Sequence, residues 1–347
     1  EQQAWDAARG SNSEAAYRAY LSEYPQGRFL GAARVAIAAV RPAPVQEPGL
    51  PQTVSVVKIA HVGPLSGVIA HLGRDNENGA KLAVEELNAR GVQIGGNKVK
   101  LELVLEDDAS DPRQAVTVAK KLVDLRVVAV VGHLNSGTSI PASKIYSEAG
   151  IPQITPSATN PLFTRNGYKT TFRMVANDAI LATMLARYVV TNIKPRAIAV
   201  IDDRTAYGRG IADEFEKAIR ASGANLVSRE FTTDKATDFT TILNSIKTNQ
   251  PDLIFFGGMD KSAGPLLQQM RAMGIRARLV GGDGICSSEL AKLAGDALAD
   301  NQVLCAEAGG VNASEVAALE RFNKAYKQRF QTDVQVYAPY TYDAVML

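Results

Sequence analysis

From Val54 onward, short β-branched runs alternate with amphipathic stretches of helical length, and this alternation decides the fold class. Val54–Val62 is such a run, followed by a Gly/Pro/Ser turn and an amphipathic segment over Gly79–Ala89. Val99–Glu106 is the next. Pro112 then stands where a helix begins, with apolar positions at Ala115, Val118 and Leu122. Val127–Val131 is a short apolar strand of the kind buried on both faces, with a helix around Ile140–Ala149. The pattern resumes at Ala197–Ile201, Leu253–Phe256 and Leu279–Val280, with helices near 208–222, 238–248, 261–273 and 313–330. Strands alternating with helices predict an α/β protein whose parallel sheets are covered on both faces. At 347 residues the chain is too long for one ordinary domain and suggests two, with an appendage.

An α/β sheet of this kind places ligands at the carboxyl ends of its strands, where the chain turns toward a helix. Those turns are Gly63–Gly67, Gly132–Ser136, Thr155–Thr159, Asp202–Gly208, Gly257–Met259 and Gly281–Gly284, each rich in Gly, Ser, Thr or Asp. The segment 1–41 is different. Ala15, Ala16, Ala19, Tyr20 and then Ala32, Ala33, Ala36, Ile37 recur at helical spacing around a Tyr24-Pro25-Gln26-Gly27 turn, which predicts a helical hairpin. Residues 42–53 read as a linker, because the four prolines at 42, 44, 48 and 51 keep the chain extended.

Net charge is +2 and no basic run exceeds Lys120-Lys121, which gives nucleic acid or a membrane surface little electrostatic hold. No apolar stretch reaches the ~18 residues of a membrane span. Two cysteines and three histidines (His61, His71, His133) at no ligand spacing are too thin an inventory for a metal site. No dinucleotide fingerprint, phosphate loop, zincin motif or nucleophile elbow is present, so the chain reads as a non-enzyme without cofactor. Asp107-Asp108 and Asp202-Asp203 are adjacent pairs whose side chains point to opposite faces of a strand, and they read as loop-fixing groups.

Seven segments, in order over the α/β portion, resemble the periplasmic branched-chain amino-acid-binding proteins of ABC transporters. They are Val62–Gly67, Asn78-Gly79-Ala80, Asp107–Pro112, Gly132–Ser136, Thr155–Pro161, Tyr207–Gly210 and Pro339–Ala344. The resemblance implies two Rossmann-like lobes of the type I periplasmic-binding-protein, or Venus-flytrap, kind. Lobe 1 would comprise 54–175 plus 307–347 and lobe 2 would comprise 176–306, with crossings near Val175–Asn177, near Ala306–Gly309 and beyond Leu347. It implies a periplasmic location and delivery of the solute to a permease; with Glu1 as the first residue, either an export signal has been removed or the sequence starts downstream of one.

A zwitterionic amino acid needs donors for its carboxylate and a fixed negative charge for its ammonium. By resemblance, Ser136 and Thr159 take the carboxylate, Ser157 and Ala158 line the same loop with a backbone carbonyl toward the ammonium, and Asp283 is the acidic ammonium partner. Tyr207 is the aromatic of the second lobe that touches the ligand. Each also has a plainer reading: Ser136 as an N-cap, Thr159 and Asp283 as turn residues, Tyr207 as a packing aromatic.

The sequence departs from the leucine-type pattern at the side-chain end of the pocket. Leu72 and Met259 stand where those binders carry aromatics, and Asn135 and Ser110 replace a loop disulfide. The ligand is expected to be an amino acid or a close relative, not specifically leucine, isoleucine or valine. Cys286 and Cys305 flank a helix at successive strand ends, where an oxidising compartment favours a disulfide over two buried thiols. The extra N-terminal hairpin keeps a second function open. On that reading the chain is a sensory or regulatory domain for an amino acid, amide or small carboxylate, with the hairpin's tyrosines either packing its core or docking a protein partner.

Overall fold

The structure, a computed structural model, describes residues 1–40, 54–310 and 312–347, so the predicted linker at 42–53 lies outside the described residues. The chain divides into two compact units, Glu1–Thr53 and Val54–Leu347.

The first unit holds three helices rather than a two-helix hairpin: α1 (Gln2–Ser11), α2 (Glu14–Glu23) and α3 (Leu30–Val40). The additional helix, α1, has only Trp5 and Ala8 on its buried face, too few apolar positions to announce a period. Trp5 stacks on Phe29 with ring centroids 5.2 Å apart and meets Tyr17 and Tyr20 at tilted angles. Tyr17 and Tyr20 are buried in this small core.

The second unit opens with β1 (Ser55–Gly63), α4 (Ala70–Arg90), β2 (Val92–Ile94), β3 (Asn97–Asp107), α5 (Pro112–Asp124) and β4 (Ala129–Gly132). It continues with α6 (Ser136–Glu148), β5 (Gln153–Thr155), α7 (Leu162–Arg165) and β6 (Thr171–Arg173). These strands form one sheet in the order β2-β3-β1-β4-β5-β6. All its pairs are parallel except β2–β3, a hairpin turned by Gly95 and Gly96. The second lobe follows as α8 (Asp178–Tyr188), β7 (Ile198–Asp202), α9 (Ala206–Ala221), β8 (Leu226–Phe231), α10 (Thr240–Thr248) and β9 (Leu253–Gly257). Next come α11 (Asp260–Ala272), β10 (Arg278–Gly281), α12 (Glu289–Ala294) and β11 (Val303–Cys305), and the sheet is parallel in the order β11-β10-β9-β7-β8. Finally α13 (Val316–Phe330) and α14 (Ala338–Met346) return to the first lobe and pack on α4. Where the chain passes between the lobes the two passages touch: Ala176 N–H donates to the Ala308 carbonyl at 2.7 Å.

The strand period shows directly in the second lobe. Ala199, Ile201, Ile254, Phe256 and Leu279 face one helical layer, while Ile198, Val200, Leu253, Phe255 and Val280 face the other. Strands sealed on both faces leave only their ends to solvent, so the loops at the carboxyl ends become the working surface.

α4 begins at Ala70, well before the Gly79–Ala89 segment expected from periodicity. Its first half carries Gly73, Asp75, Asn76 and Gly79, which read as loop in sequence but are demanded by packing. A Cβ at Gly79 would lie 2.3 Å from the Ala338 carbonyl oxygen, so only glycine lets α14 come this close. Asp75 is buried and its carboxylate gathers the chain entering α14. Oδ1 accepts from Gln335 N–H at 2.9 Å and Tyr326 Oη at 3.1 Å. Oδ2 accepts from the N–H groups of Val336, Tyr337 and Ala338 at 3.1, 2.9 and 3.0 Å.

The paired aspartates fix loops. Asp107 Oδ1 accepts from Leu65 and Ala109 N–H, Asp108 Oδ1 from Ser110 N–H, Asp202 Oδ1 from Arg204 N–H, and Asp203 Oδ1 from Thr205. A disulfide joins Cys286 to Cys305, with Cα atoms 5.6 Å apart. Non-reducing mass analysis is expected to find the protein two hydrogens lighter than its reduced form; two thiols that label after denaturation would contradict the bond.

Among the described residues no helix is long and apolar enough to cross a membrane, and no three His, Cys, Asp or Glu side chains converge as metal ligands.

Candidate ligand-binding site

A small cleft lies between the two lobes, lined by residues of five strand-end loops and of the chain entering α14. Leu134, Asn135, Ser136, Ser157, Ala158 and Tyr337 come from the first lobe; Tyr207, Met259 and Asp283 come from the second. Polar contacts between the lobes hold the cleft closed. Asn160 Nδ2 donates to the Ala206 carbonyl at 2.7 Å and Ser288 Oγ to Gln335 Oε1 at 2.8 Å. His71 Nε2 lies 2.7 Å from Asp260 Oδ2, which also accepts from Ser287 Oγ.

On the first-lobe wall the start of α6 is left uncapped by any side chain. Thr138 and Ser139 N–H already bond the Asn135 carbonyl at 3.2 and 2.9 Å. Among the described residues the N–H groups of Ser136 and Gly137 make no hydrogen bond, and they stand at the positive end of the helix dipole, which favours an anion. Ser136 is buried and its Oγ accepts from Asn160 N–H at 3.2 Å, which frees its own proton to donate. Thr159 does not line the cleft: it is fully buried behind it, with its hydroxyl beside the Asp178 carboxyl, whose pKa it pulls down against burial. Ser157 and Ala158 serve the loop's own geometry. Ser157 Oγ donates to the Leu134 carbonyl at 2.9 Å, Ala158 N–H to Thr155 Oγ1 at 2.9 Å, and Arg173 Nη1 to the Ala158 carbonyl at 2.7 Å.

Beneath this wall lies a buried polar array. His133 Nδ1 sits 2.8 Å from Asp108 Oδ2 and its Nε2 sits 3.1 Å from Tyr146 Oη, while its carbonyl accepts from Thr155 Oγ1 and Ser139 Oγ. The loop that carries Asn135 and Ser136 is thereby tied to the loop that carries Ser157 and Thr159. His61 is packed nearby against the Val131 carbonyl, and burial holds its pKa down to about 4, so it is neutral. His61 and His133 thus share one buried neighbourhood with Asp108, while His71 meets Asp260 of the other lobe.

Opposite stands the acidic group. Asp283 opens a single 3-10 turn after β10 and is fully enclosed. A Cβ at Gly284 would lie 2.8 Å from both Met259 Sδ and the Tyr207 ring, so the turn closes against the cleft only as glycine. Tyr207, in the first turn of α9 behind the cap made by Thr205 Oγ1 on Gly208 N–H, donates to Asp283 Oδ1 at 2.9 Å. Tyr337, from the other lobe, donates to Asp283 Oδ2 at 2.8 Å. Burial pushes the Asp283 carboxyl up to about 6, against the two tyrosine hydroxyls that pull it down. Burial likewise raises Asp178, beside Thr159, to about 7.

Leu72 does not line the cleft. It packs behind it with Ile69, Leu134 and Tyr337, and Met259 leans on the same cluster. Leu134 and Tyr337 are the cleft residues that sequence reasoning missed. Tyr337 stands two positions before the Pro339–Ala344 segment already singled out, and it is brought in by Asp75, 262 positions away in the chain.

The buried Asp283 carboxyl and the uncapped start of α6, with the Ser136 hydroxyl, line one closed cleft between two parallel-sheet lobes. The family model described as periplasmic binding protein matches residues 56–347. The chain belongs to this family.

Within the periplasmic binding proteins, the "Leu/Ile/Val-binding protein homolog 1" of Brucella abortus is 39% identical over 236 residues, 68% of this chain and 63% of that protein. The "Amino acid binding protein" of Pseudomonas aeruginosa is 40% identical over 240 residues, 69% of this chain and 63% of that one. The chain therefore matches just under two thirds of the length of these curated relatives. The isoleucine complex of the binding protein LivJ from Streptococcus pneumoniae superposes with a TM-score of 0.75 at 28% identity, covering 84% of this chain and 82% of that one. The leucine-binding protein LivK of Thermotoga maritima gives 0.77 at 27% identity, covering 84% and 81%. A benzoate-bound solute-binding protein of Rhodopseudomonas palustris shares the fold at 21% identity with a TM-score of 0.69.

A periplasmic binding protein with this acidic group has a predictable pH response. A cation that pairs with Asp283 needs it ionised, and Asp283 takes up a proton as pH falls through about 6. Affinity for a ligand whose cationic group Asp283 holds is therefore expected to be level above that pH and to fall below it, approaching about tenfold per pH unit. Titration calorimetry from pH 8 to pH 4.5 checks this. The fall should survive Asp178→Asn; affinity that stays level to pH 4.5 would contradict the assignment.

Proposed function

We propose that this protein is an extracytoplasmic receptor that captures an L-amino acid between its lobes and delivers it to an ABC-transporter permease, without catalysing a reaction. One observation carries the reading: Asp283, enclosed and ringed by tyrosine hydroxyls of both lobes, faces the uncapped start of α6. The acidic side suits an ammonium. The helix start, with the Ser136 hydroxyl, suits a carboxylate. The names and bound ligands of the relatives support the same class of solute. The lobes exchange direct contacts across the cleft, and a solute that bonds both walls biases the hinge toward the closed form a permease would recognise.

The role belongs to the site as a set. Ser136 takes the carboxylate with Thr159 behind it, the Ser157 carbonyl and Asp283 take the ammonium with Ala158 lining the same loop, and Tyr207 closes the cleft. Leu134, Asn135 and Met259 meet the side chain, with Leu72 supporting them from behind. A thermal-shift panel of L-amino acids, simple carboxylates and small amides tests the reading. L-amino acids should raise the melting temperature and the amides and ammonium-free carboxylates should not; no shift with any common L-amino acid would overturn it.

A further inference from the structure

Asn135 stands at the N-cap position of α6 yet does not cap the helix with its side chain. Asparagine is favoured at that position because its Oδ1 accepts an N–H of the first turn. In this protein Oδ1 accepts instead from Ser110 Oγ at 3.1 Å. Ser110 is itself anchored, its N–H donating at 3.0 Å to Asp108, whose other oxygen meets the His133 ring. The Asn135 amide is thus turned off the helix and held on the cleft wall, and its Nδ2 makes no hydrogen bond among the described residues.

Its neighbours on that part of the wall are apolar: Leu134 and Met259, with Leu72 behind. The helix-start amides and Asp283 answer the charged ends of an amino acid, which leaves this patch to the side chain. When the cleft closes on a purely hydrocarbon side chain, the amide loses water and gains nothing in return. A side-chain oxygen at the same place satisfies it. A site with a built-in polar partner discriminates against the analogue that lacks the matching group far more strongly than an apolar pocket discriminates by shape.

We propose that Asn135, oriented by Ser110, is a specificity residue that selects an amino acid with a short side chain bearing a hydroxyl or amide oxygen over its hydrocarbon counterpart of the same shape. The selection rests on the amino-acid reading of the cleft and names the class of solute within it.

Titration calorimetry of the purified protein with two matched pairs, L-threonine against L-valine and L-asparagine against L-leucine, tests it. In at least one pair the oxygen-bearing member should bind about tenfold tighter or more. Asn135→Leu, which keeps the size of the side chain, should bring that ratio within about threefold or reverse it. Ser110→Ala, which frees the amide to cap α6, should reduce the ratio without removing binding. Valine and leucine binding as tightly as their partners, or a ratio that survives Asn135→Leu, would overturn the role of Asn135 while leaving the amino-acid clamp standing. No binding of any of the four amino acids would overturn both.

Discussion

Replacing Asp283 with alanine is expected to abolish the melting-temperature rise that L-amino acids produce and to weaken their binding by roughly 100-fold or more. Removing one partner of an enclosed charge pair costs about 3–5 kcal/mol, because the other charge is left buried and unpaired. Here the abandoned charge is the ligand's ammonium, and the Tyr207 and Tyr337 hydroxyls lose their acceptor at the same time. The ligand-free protein should not lose comparable stability, since burial already disfavours the ionised carboxylate that the substitution removes. Asp283→Asn keeps one oxygen for a tyrosine and the size of the group. It should lose amino-acid affinity to a similar degree, because shape is retained and only the charge is gone. A variant that still binds L-amino acids within about tenfold of the parent would move the ammonium site elsewhere.

The second large effect is structural. Asp75→Asn is expected to lower the unfolding free energy by about 3 kcal/mol, because charge-assisted bonds to several N–H groups become weaker neutral ones and the amide brings an N–H₂ against donors. Gln335, Val336, Tyr337 and Ala338 all point their N–H groups at the Asp75 carboxylate, so the turn into α14 loses its anchor. Chemical denaturation reads the change, and a loss under about 1 kcal/mol would show that the turn holds itself. Ligand affinity should fall in the same variant, since Tyr337 reaches Asp283 from that turn.

These two aspartates mark what the sequence could and could not disclose. Asp283 sits between glycines at a strand end, where α/β chemistry concentrates, and the motif resemblance placed it beside a ligand. Asp75 lies in a stretch with Gly73 and Gly79 that looks like loop. Its partners are some 260 positions downstream, and no local period reports a contact of that range. The same limit hid Tyr337. Periodicity also passed over β2, β6 and β8: β2 and β6 are three residues each and owe their form to the neighbours they pair with, while β8 is an edge strand with no fully buried residue to set a period. The long apolar runs β7 and β9, every residue buried, were legible because burial on both faces leaves one solution for such a run. On the cleft wall the substitution pattern was readable at Asn135 and Met259. Leu72 fell one layer behind, since a helix position near a loop does not announce which neighbour will cover it.

On the proposed reading the closed cleft recognises both ends of an amino acid. Equilibrium titration of the protein at pH 7.5 with L-leucine and L-threonine, each beside the same acid lacking its amino group, tests that claim most directly (~pH 7.5 leaves Asp283 ionised). An amino acid that binds while its deaminated counterpart binds at least roughly 100-fold more weakly is the predicted result. Deaminated acids that bind as well as the amino acids would contradict it, and would make the cleft a carboxylate site in which Asp283 has no ligand to hold.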